Sequence, residues 1–158
     1  MDFITHLIRF FAKWPAVLAI ACALGFFARE YRHHPKKFFQ EVSITTVTVL
    51  VAWGISAILK IIVHAPRPFV ARGIPNTFMV QDYTSFPSGH ATLFFAIATA
   101  VFLYNRKTGS LLYLFATVIA VFRVIAGIHY PIDVVVGAGI GVGIAYLVHS
   151  ALSKVFRK

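Results

Sequence analysis

Charge is scarce in this chain. Only 13% of its 158 residues are Asp, Glu, Lys or Arg, and only five are acidic. A soluble domain of this size needs a far more polar surface, so the composition excludes that class. Cysteine is almost absent too: Cys22, inside an apolar run, is the only one. This excludes an internal disulfide and any cysteine-based metal cluster, and Cys22 reads as a small buried hydrophobe. There is no low-complexity segment and no internal repeat. What is abundant is apolar. Hydrophobic residues make up 59% of the chain, which at this length describes one integral membrane domain over residues 1–158.

The net charge of +10 invites a nucleic-acid partner, but the basic residues form no solvated stripe. Most sit at the ends of apolar runs, as topology signals and contacts for anionic membrane lipids do; no nucleic-acid partner is expected. The amino terminus lacks the pattern of a cleavable signal. Phe3, Ile4, Leu7, Ile8 and Phe11 recur at helical spacing while Asp2, Thr5, His6, Arg9 and Lys13 fall mostly on the other side. That pattern predicts an interfacial amphipathic helix over residues 1–13.

Five apolar segments follow, which predict an all-α integral membrane bundle of about five spans. They run from about Pro15 to Ala28, Val42 to Val63, Ser88 to Tyr104, Leu111 to Ile128 and Ile132 to Leu152. The first is short for a span of ~20 residues and recruits Trp14 or residues before it. Polar breaks separate them at Arg29–Gln40, His64–Pro87, Asn105–Ser110 and the turn His129-Tyr130-Pro131, with Pro131 suited to a first helical turn. In the fifth span the glycine pairs 137/141 and 139/143 permit close helix approach, within the bundle or at a homodimer seam.

Against this background six ionisable side chains stand out. Lys60 and Arg67 close the second span and the loop after it. His90 lies in Pro87-Ser88-Gly89-His90, which opens the third. Arg123 lies near the end of the fourth, and His129 and Asp133 flank the opening of the fifth. Ionisable groups at membrane depth are unfavourable and mark function by default. With antiparallel neighbouring spans, all of them reach one membrane face. The excess of Lys and Arg on the opposite side (Arg29, Arg32, Lys36, Lys37, Arg106, Lys107, Lys154, Arg157, Lys158) places that face outside the cytoplasm.

The residue types suit a phosphate. Lys60, Arg67 and Arg123 can offset its charge, arginine by paired contacts. Ser88 and Gly89 open a helix, where backbone N–H groups and the helix dipole face an anion, and Gly89 allows close approach. Asp133 can accept from one nitrogen of His129, leaving the other free to attack. His90, with no carboxylate nearby in sequence, is the better general acid. Taken singly, each histidine could be a hydrogen-bonded bundle residue and Arg123 could snorkel to the interface. A zinc site from His64, His90, His129 and Asp133 competes, against the repulsion of three adjacent cations.

Lys60-x6-Arg67-Pro68, Pro87-Ser88-Gly89-His90 and Arg123-x5-His129-x3-Asp133, in this order, resemble the three-part signature of the type 2 phosphatidic acid phosphatase superfamily, and the chain is similar to its small prokaryotic undecaprenyl-diphosphatase-like members. The resemblance covers about half the chain, residues 60–133. It implies hydrolysis of a lipid phosphate or diphosphate through a phosphohistidine, with no metal or other cofactor. The expected substrates are polyprenyl diphosphate, phosphatidate or phosphatidylglycerol phosphate. His129 would be the nucleophile, Asp133 its orienting partner and His90 the proton donor. Lys60, Arg67, Ser88, Gly89 and Arg123 would bind the phosphate. The charge bias and the resemblance together give a cell-membrane protein with an extracytoplasmic site, with His64–Pro87 as a loop over it whose Phe69, Phe78, Tyr83 and Phe86 contact lipid or simply pack at the surface. Two departures stand out. Phe122 occupies the place of the family's serine before the third-motif arginine. Five spans are counted where membrane members commonly have six, the missing one lying before the catalytic core. A phosphotransferase with the same intermediate and a non-enzymatic anion or lipid transporter are the alternatives.

Overall fold

The computed structural model of the chain describes residues 35–74 and 83–155. Their order is α1 (Pro35–Val63), α2 (Pro68–Ala71), α3 (Gly89–Phe102), α4 (Arg106–Ile125) and α5 (Pro131–Val155). Among the described residues the only extended pairing is an isolated antiparallel bridge between Pro66 and Thr84. The fold is thus the all-α membrane class that the apolar runs predict, and α1, α4 and α5 are each long and apolar enough to cross a bilayer. The interfacial helix expected at residues 1–13, the segment from Pro15 to Ala28, Cys22 and Phe78 lie outside the described residues.

The outer faces of these helices are apolar. Leu50, Trp53 and Ile61 of α1 are 60%, 61% and 77% exposed. A row of large hydrophobic side chains this open is unfavourable in water and suited to lipid. At one end of the bundle Lys36, Lys37, Arg106, Lys107 and Lys154 are all exposed, which is the described part of the basic excess that sets the expected orientation.

Several boundaries differ from the sequence expectation, and those of α1 and α4 are instructive. α1 is already helical at Pro35, where the described residues begin, rather than starting near Val42. Its described length of about 43 Å carries the lysine-bearing turns at Lys36 and Lys37 past a hydrocarbon core of about 30 Å. α4 opens at Arg106 rather than Leu111, because Asn105 caps it: Asn105 Oδ1 accepts from Thr108 N at 3.1 Å. It closes at Ile125 rather than Ile128. Gly127 there adopts φ 67°, Gly127 N donates to Val124 O at 2.9 Å and Ile128 N to Arg123 O at 3.1 Å. That pair of bonds is a Schellman termination, in which glycine takes the left-handed position at no steric cost.

The short helix α3 is the hub. It packs on α1, α4 and α5, while α4 and α5 barely touch each other. Most of its buried residues are small, among them Ala91, Ala96, Ala98 and Ala100, which lets neighbours approach closely. α5 meets it through Gly137 and Gly141: a Cβ on Gly137 would stand 2.6 Å from Ser88 O, and one on Gly141 would collide with Thr92 O. This pair therefore serves packing inside the bundle. Among the described residues nothing lies within 4 Å of the Cβ positions of Gly139 and Gly143, which are exposed. With 14 residues, α3 is only about 21 Å long. It starts level with Ser56 and Lys60 of α1, which lie 3.9 and 4.0 Å from the Cβ position of Gly89, well before α1 ends at Val63. The start of α3 is therefore the floor of a recess walled by the end of α1.

Candidate active site

The recess gathers residues from α1, α3, α4 and α5, together with the residue that precedes α2. Arg67 is the residue before α2, with extended backbone (φ −69°, ψ 155°) suited to preceding Pro68. Its side chain is 3% exposed and runs inward, so that Nη1 donates to Ile128 O at 3.2 Å and stands 3.2 Å from His129 Nε2. Arg123, in the last turn of α4 and 5% exposed, brings Nη2 to 3.3 Å from the same nitrogen. The Schellman turn fixes this second contact, since Arg123 O also accepts from His129 N at 3.2 Å. Lys60, one turn before the end of α1, donates to Thr84 O at 2.9 Å.

The two guanidiniums settle the tautomer of His129. A guanidinium only donates, so Nε2 must accept, and the ring proton of the neutral imidazole sits on Nδ1. Burial in the turn pushes the His129 imidazole down to about 4, and Arg123, Arg67 and Lys60 push the same way against the Asp133 carboxylate. At neutral pH the ring is uncharged, with a lone pair on Nε2 aimed where the two arginines meet.

On the far side of the ring the expected carboxylate pair is looser than the sequence spacing suggested. His129 Nδ1 lies 3.6 Å from Asp133 Oδ2, beyond a hydrogen bond. Asp133 is 2% exposed, and its Oδ2 accepts instead from Tyr130 N at 2.8 Å and from the Ser85 hydroxyl. Ser85 Oγ is also 3.4 Å from His129 Nδ1. The sequence reading missed Ser85. It is uncharged, in a loop, and outside the three motifs; its one signal is its place three residues before Ser88, in a stretch that Pro87 keeps from being helical.

Ser88 caps α3 through its side chain, which accepts from Ala91 N. Its own N–H donates to Asp133 O at 2.9 Å, so it is not open to an anion as expected. Gly89 and His90, in the first turn of α3, have no helical carbonyl four residues back, and their N–H groups are the ones left at this helix start. His90 is half-buried against Phe94, ring centroids 6.2 Å apart, and within electrostatic reach of Arg123, His129, Arg67 and Lys60. Of the four aromatics expected over the site, Phe69 is buried and Tyr83 exposed, and their rings meet at a tilt with centroids 6.4 Å apart. Phe122 precedes Arg123 and so points about 100° away round the helix. His64 is exposed past the end of α1, and among the described residues no three His, Cys, Asp or Glu side chains are grouped to hold a metal ion.

A family described as the PAP2 superfamily matches residues 41–157. The bacitracin transport permease protein BcrC of Bacillus licheniformis is 39% identical over 79 residues, covering 48% of this chain and 38% of that protein. The undecaprenyl-diphosphatase BcrC of Bacillus subtilis (strain 168) is 32% identical over 101 residues, covering 64% of this chain and 52% of that one. The chain spans about half the length of the curated relatives it matches. The crystal structure of LpxE from Aquifex aeolicus has the same fold, with a TM-score of 0.58 at 22% identity over 91% of this chain and 86% of that one. The family match runs through every described helix and takes in all the residues of the recess from Lys60 to Asp133, and on that ground the chain belongs to the PAP2 superfamily.

Proposed function

We propose that this protein is a membrane-embedded, metal-independent lipid phosphatase that hydrolyses a phosphomonoester or diphosphate of a lipid through a phosphohistidine. The observation that carries this reading is the convergence of Arg67 and Arg123 on His129 Nε2 at 3.2 and 3.3 Å. Two buried guanidiniums beside a neutral ring nitrogen are the parts of a phosphate site with its nucleophile already aligned. A bound phosphoryl group takes over the arginine donors, which pairs its oxygens with the forks and frees the Nε2 lone pair.

In the reaction, Nε2 attacks phosphorus as the bond to the leaving oxygen breaks. His90 gives that oxygen its proton, and the Nδ1 proton of His129 stays on the side of Asp133 and Ser85. Water then attacks the phosphohistidine, with His90 taking the water proton and Nε2 departing. Proton delivery by His90 belongs to the substrate complex, where phosphate charge offsets the cations around it. Lys60, Arg67, Arg123 and the N–H groups of Gly89 and His90 hold the phosphoryl oxygens, and Ser88 fixes the start of α3. The substrate class is polyprenyl diphosphate, phosphatidate or phosphatidylglycerol phosphate, its chain lying in the bilayer and its headgroup in the recess. The exposed lysines and arginines at the other end of the bundle support a cell-membrane location with the site outside the cytoplasm. The outward face carrying Gly139 and Gly143 meets lipid or a second copy of the chain.

The direct test is phosphate release by the detergent-solubilised protein from those three lipids, with and without EDTA. Release from at least one, unchanged by EDTA, is the expected result. A folded protein that releases none, or one that EDTA silences and a divalent ion restores, sinks the reading.

The pH dependence has a defined sign. His129 attacks only when neutral, and its imidazole takes a proton near pH 4. On kcat/KM, which reports the free enzyme, the acid limb corrected for substrate ionisation therefore falls near pH 4, and loss of the proton that His90 donates sets a separate basic limb. A limb at the ordinary imidazole value of about 6.5 contradicts a buried nucleophile flanked by cations.

A further inference from the structure

The strap between α2 and α3 carries a group outside the three motifs. Ser85 is fully buried and held from both sides. Its N–H donates to Ala65 O at 2.7 Å, Arg67 N donates to Tyr83 O at 3.2 Å, and Lys60 Nζ holds Thr84 O at 2.9 Å. The two cations of the first motif thus fasten the strand that presents the Ser85 hydroxyl. Three residues on, Ser88 N grips Asp133 O at 2.9 Å. One short segment therefore holds Asp133 twice, by its backbone carbonyl and by its carboxylate.

We propose that Ser85 is a positioning residue for the hydrolysis: its hydroxyl donates to Asp133 Oδ2 and stands against His129 Nδ1, fixing the carboxylate and the ring in register. This rests on the phosphatase reading and names a component the family motifs do not include. The argument is geometric. At 3.6 Å Asp133 does not reach Nδ1, whereas Ser85 Oγ lies between the two groups, bonded to the carboxylate and 3.4 Å from the ring nitrogen. A hydroxyl can donate in one direction and accept in the other. Here it donates to the carboxylate, which only accepts, and its lone pairs face the Nδ1 proton that the two arginines enforce. Without it, Oδ2 keeps only the Tyr130 N–H among the described residues, and the imidazole loses the stop that keeps Nε2 aimed at the arginines. Ser85 touches no substrate atom. Its loss therefore lowers kcat and leaves binding intact.

The test uses the full chain in detergent, with Ser85→Ala and Ser85→Cys assayed beside wild type on the lipid that wild type hydrolyses best. Cysteine keeps nearly the same volume and supplies only a weak donor, so it decides the question if the alanine variant does not fold. The expected result for both is a fall in kcat of roughly 10- to 100-fold, the scale seen when a group orienting a first-contact residue of a metal site is removed. KM and the inhibition constant for vanadate stay within about threefold, since the arginines are untouched. A folded variant with wild-type kcat, or one whose loss lies in KM, overturns the role of Ser85. If wild type itself releases no phosphate, the phosphatase reading fails first, which separates the two ideas.

Discussion

Replacing His129 by alanine abolishes turnover while the anion site stays standing. The expected loss in kcat is between about 10^4- and about 10^6-fold, the range found when a catalytic nucleophile or its base is removed. The reason is the separate anchoring of the parts. Arg67 enters from the loop before α2 and keeps its bond to Ile128 O at 3.2 Å. Arg123 comes from the last turn of α4, whose Schellman bonds involve only backbone. Neither needs the imidazole to stay in place, so vanadate and a non-hydrolysable lipid phosphonate still bind within about tenfold of wild type, roughly 1.4 kcal/mol. The measurement pairs phosphate release with displacement of a fluorescent lipid phosphate. Turnover surviving in His129→Ala to within tenfold places the nucleophile elsewhere. The same variant separates an enzyme from an anion or lipid transporter, which uses the cations and has no need of an in-line imidazole. A transporter moves its cargo unimpaired without His129.

Much of this site can be reached from the sequence by counting. Lys60 and Arg67 end one apolar run, Ser88 to His90 open the next, Arg123 ends another and His129 opens the last. Alternating spans then force these positions to one surface, and the structure gathers them there. The helix ends are less legible, because the apolar pattern that reveals a span stops before the helix does. Lys36, Lys37, Arg106 and Lys107 are helical and exposed, since polar residues beyond the bilayer cost a helix little. Gly127 is a readable stop four residues after Arg123, yet the apolar Ile128 beyond it makes the run look longer than the helix. Hydrogen-bond partners are the least legible. Asp133 four residues after His129 suggests a direct pair, while the fold hands Oδ2 to Tyr130 N and Ser85. Ser88 at a helix start suggests an anion-binding N–H, while Asp133 O takes it. These partners lie far apart in sequence, 48 residues in the case of Ser85 and Asp133, and no local pattern encodes them.

Arg67→Lys tests whether the guanidinium fork, rather than positive charge alone, is needed at this position. Arg67 is 3% exposed, and one of its nitrogens serves both Ile128 O and His129 Nε2 at 3.2 Å. When phosphate enters, the fork can keep the carbonyl with one edge and give the remaining donors to the anion. Lysine has the charge but a single ammonium on a flexible stem, so it must leave either the carbonyl or the phosphate. The expected fall in kcat/KM is about 10^2- to 10^3-fold, the scale for losing one preorganised donor to developing charge, with a parallel weakening of vanadate inhibition. Thermal stability changes little, because the lysine ammonium keeps the positive charge and, without phosphate, can still donate to Ile128 O. Arg72→Lys, at an exposed position one turn past Pro68, is the matched control and keeps wild-type rates. If Arg67→Lys stays within about threefold of wild type, Coulomb attraction alone suffices and the paired geometry at Nε2 is incidental. A loss confined to KM at unchanged kcat has a different meaning: Arg67 then binds ground state and transition state alike, and Arg123 alone steers the phosphoryl group onto His129.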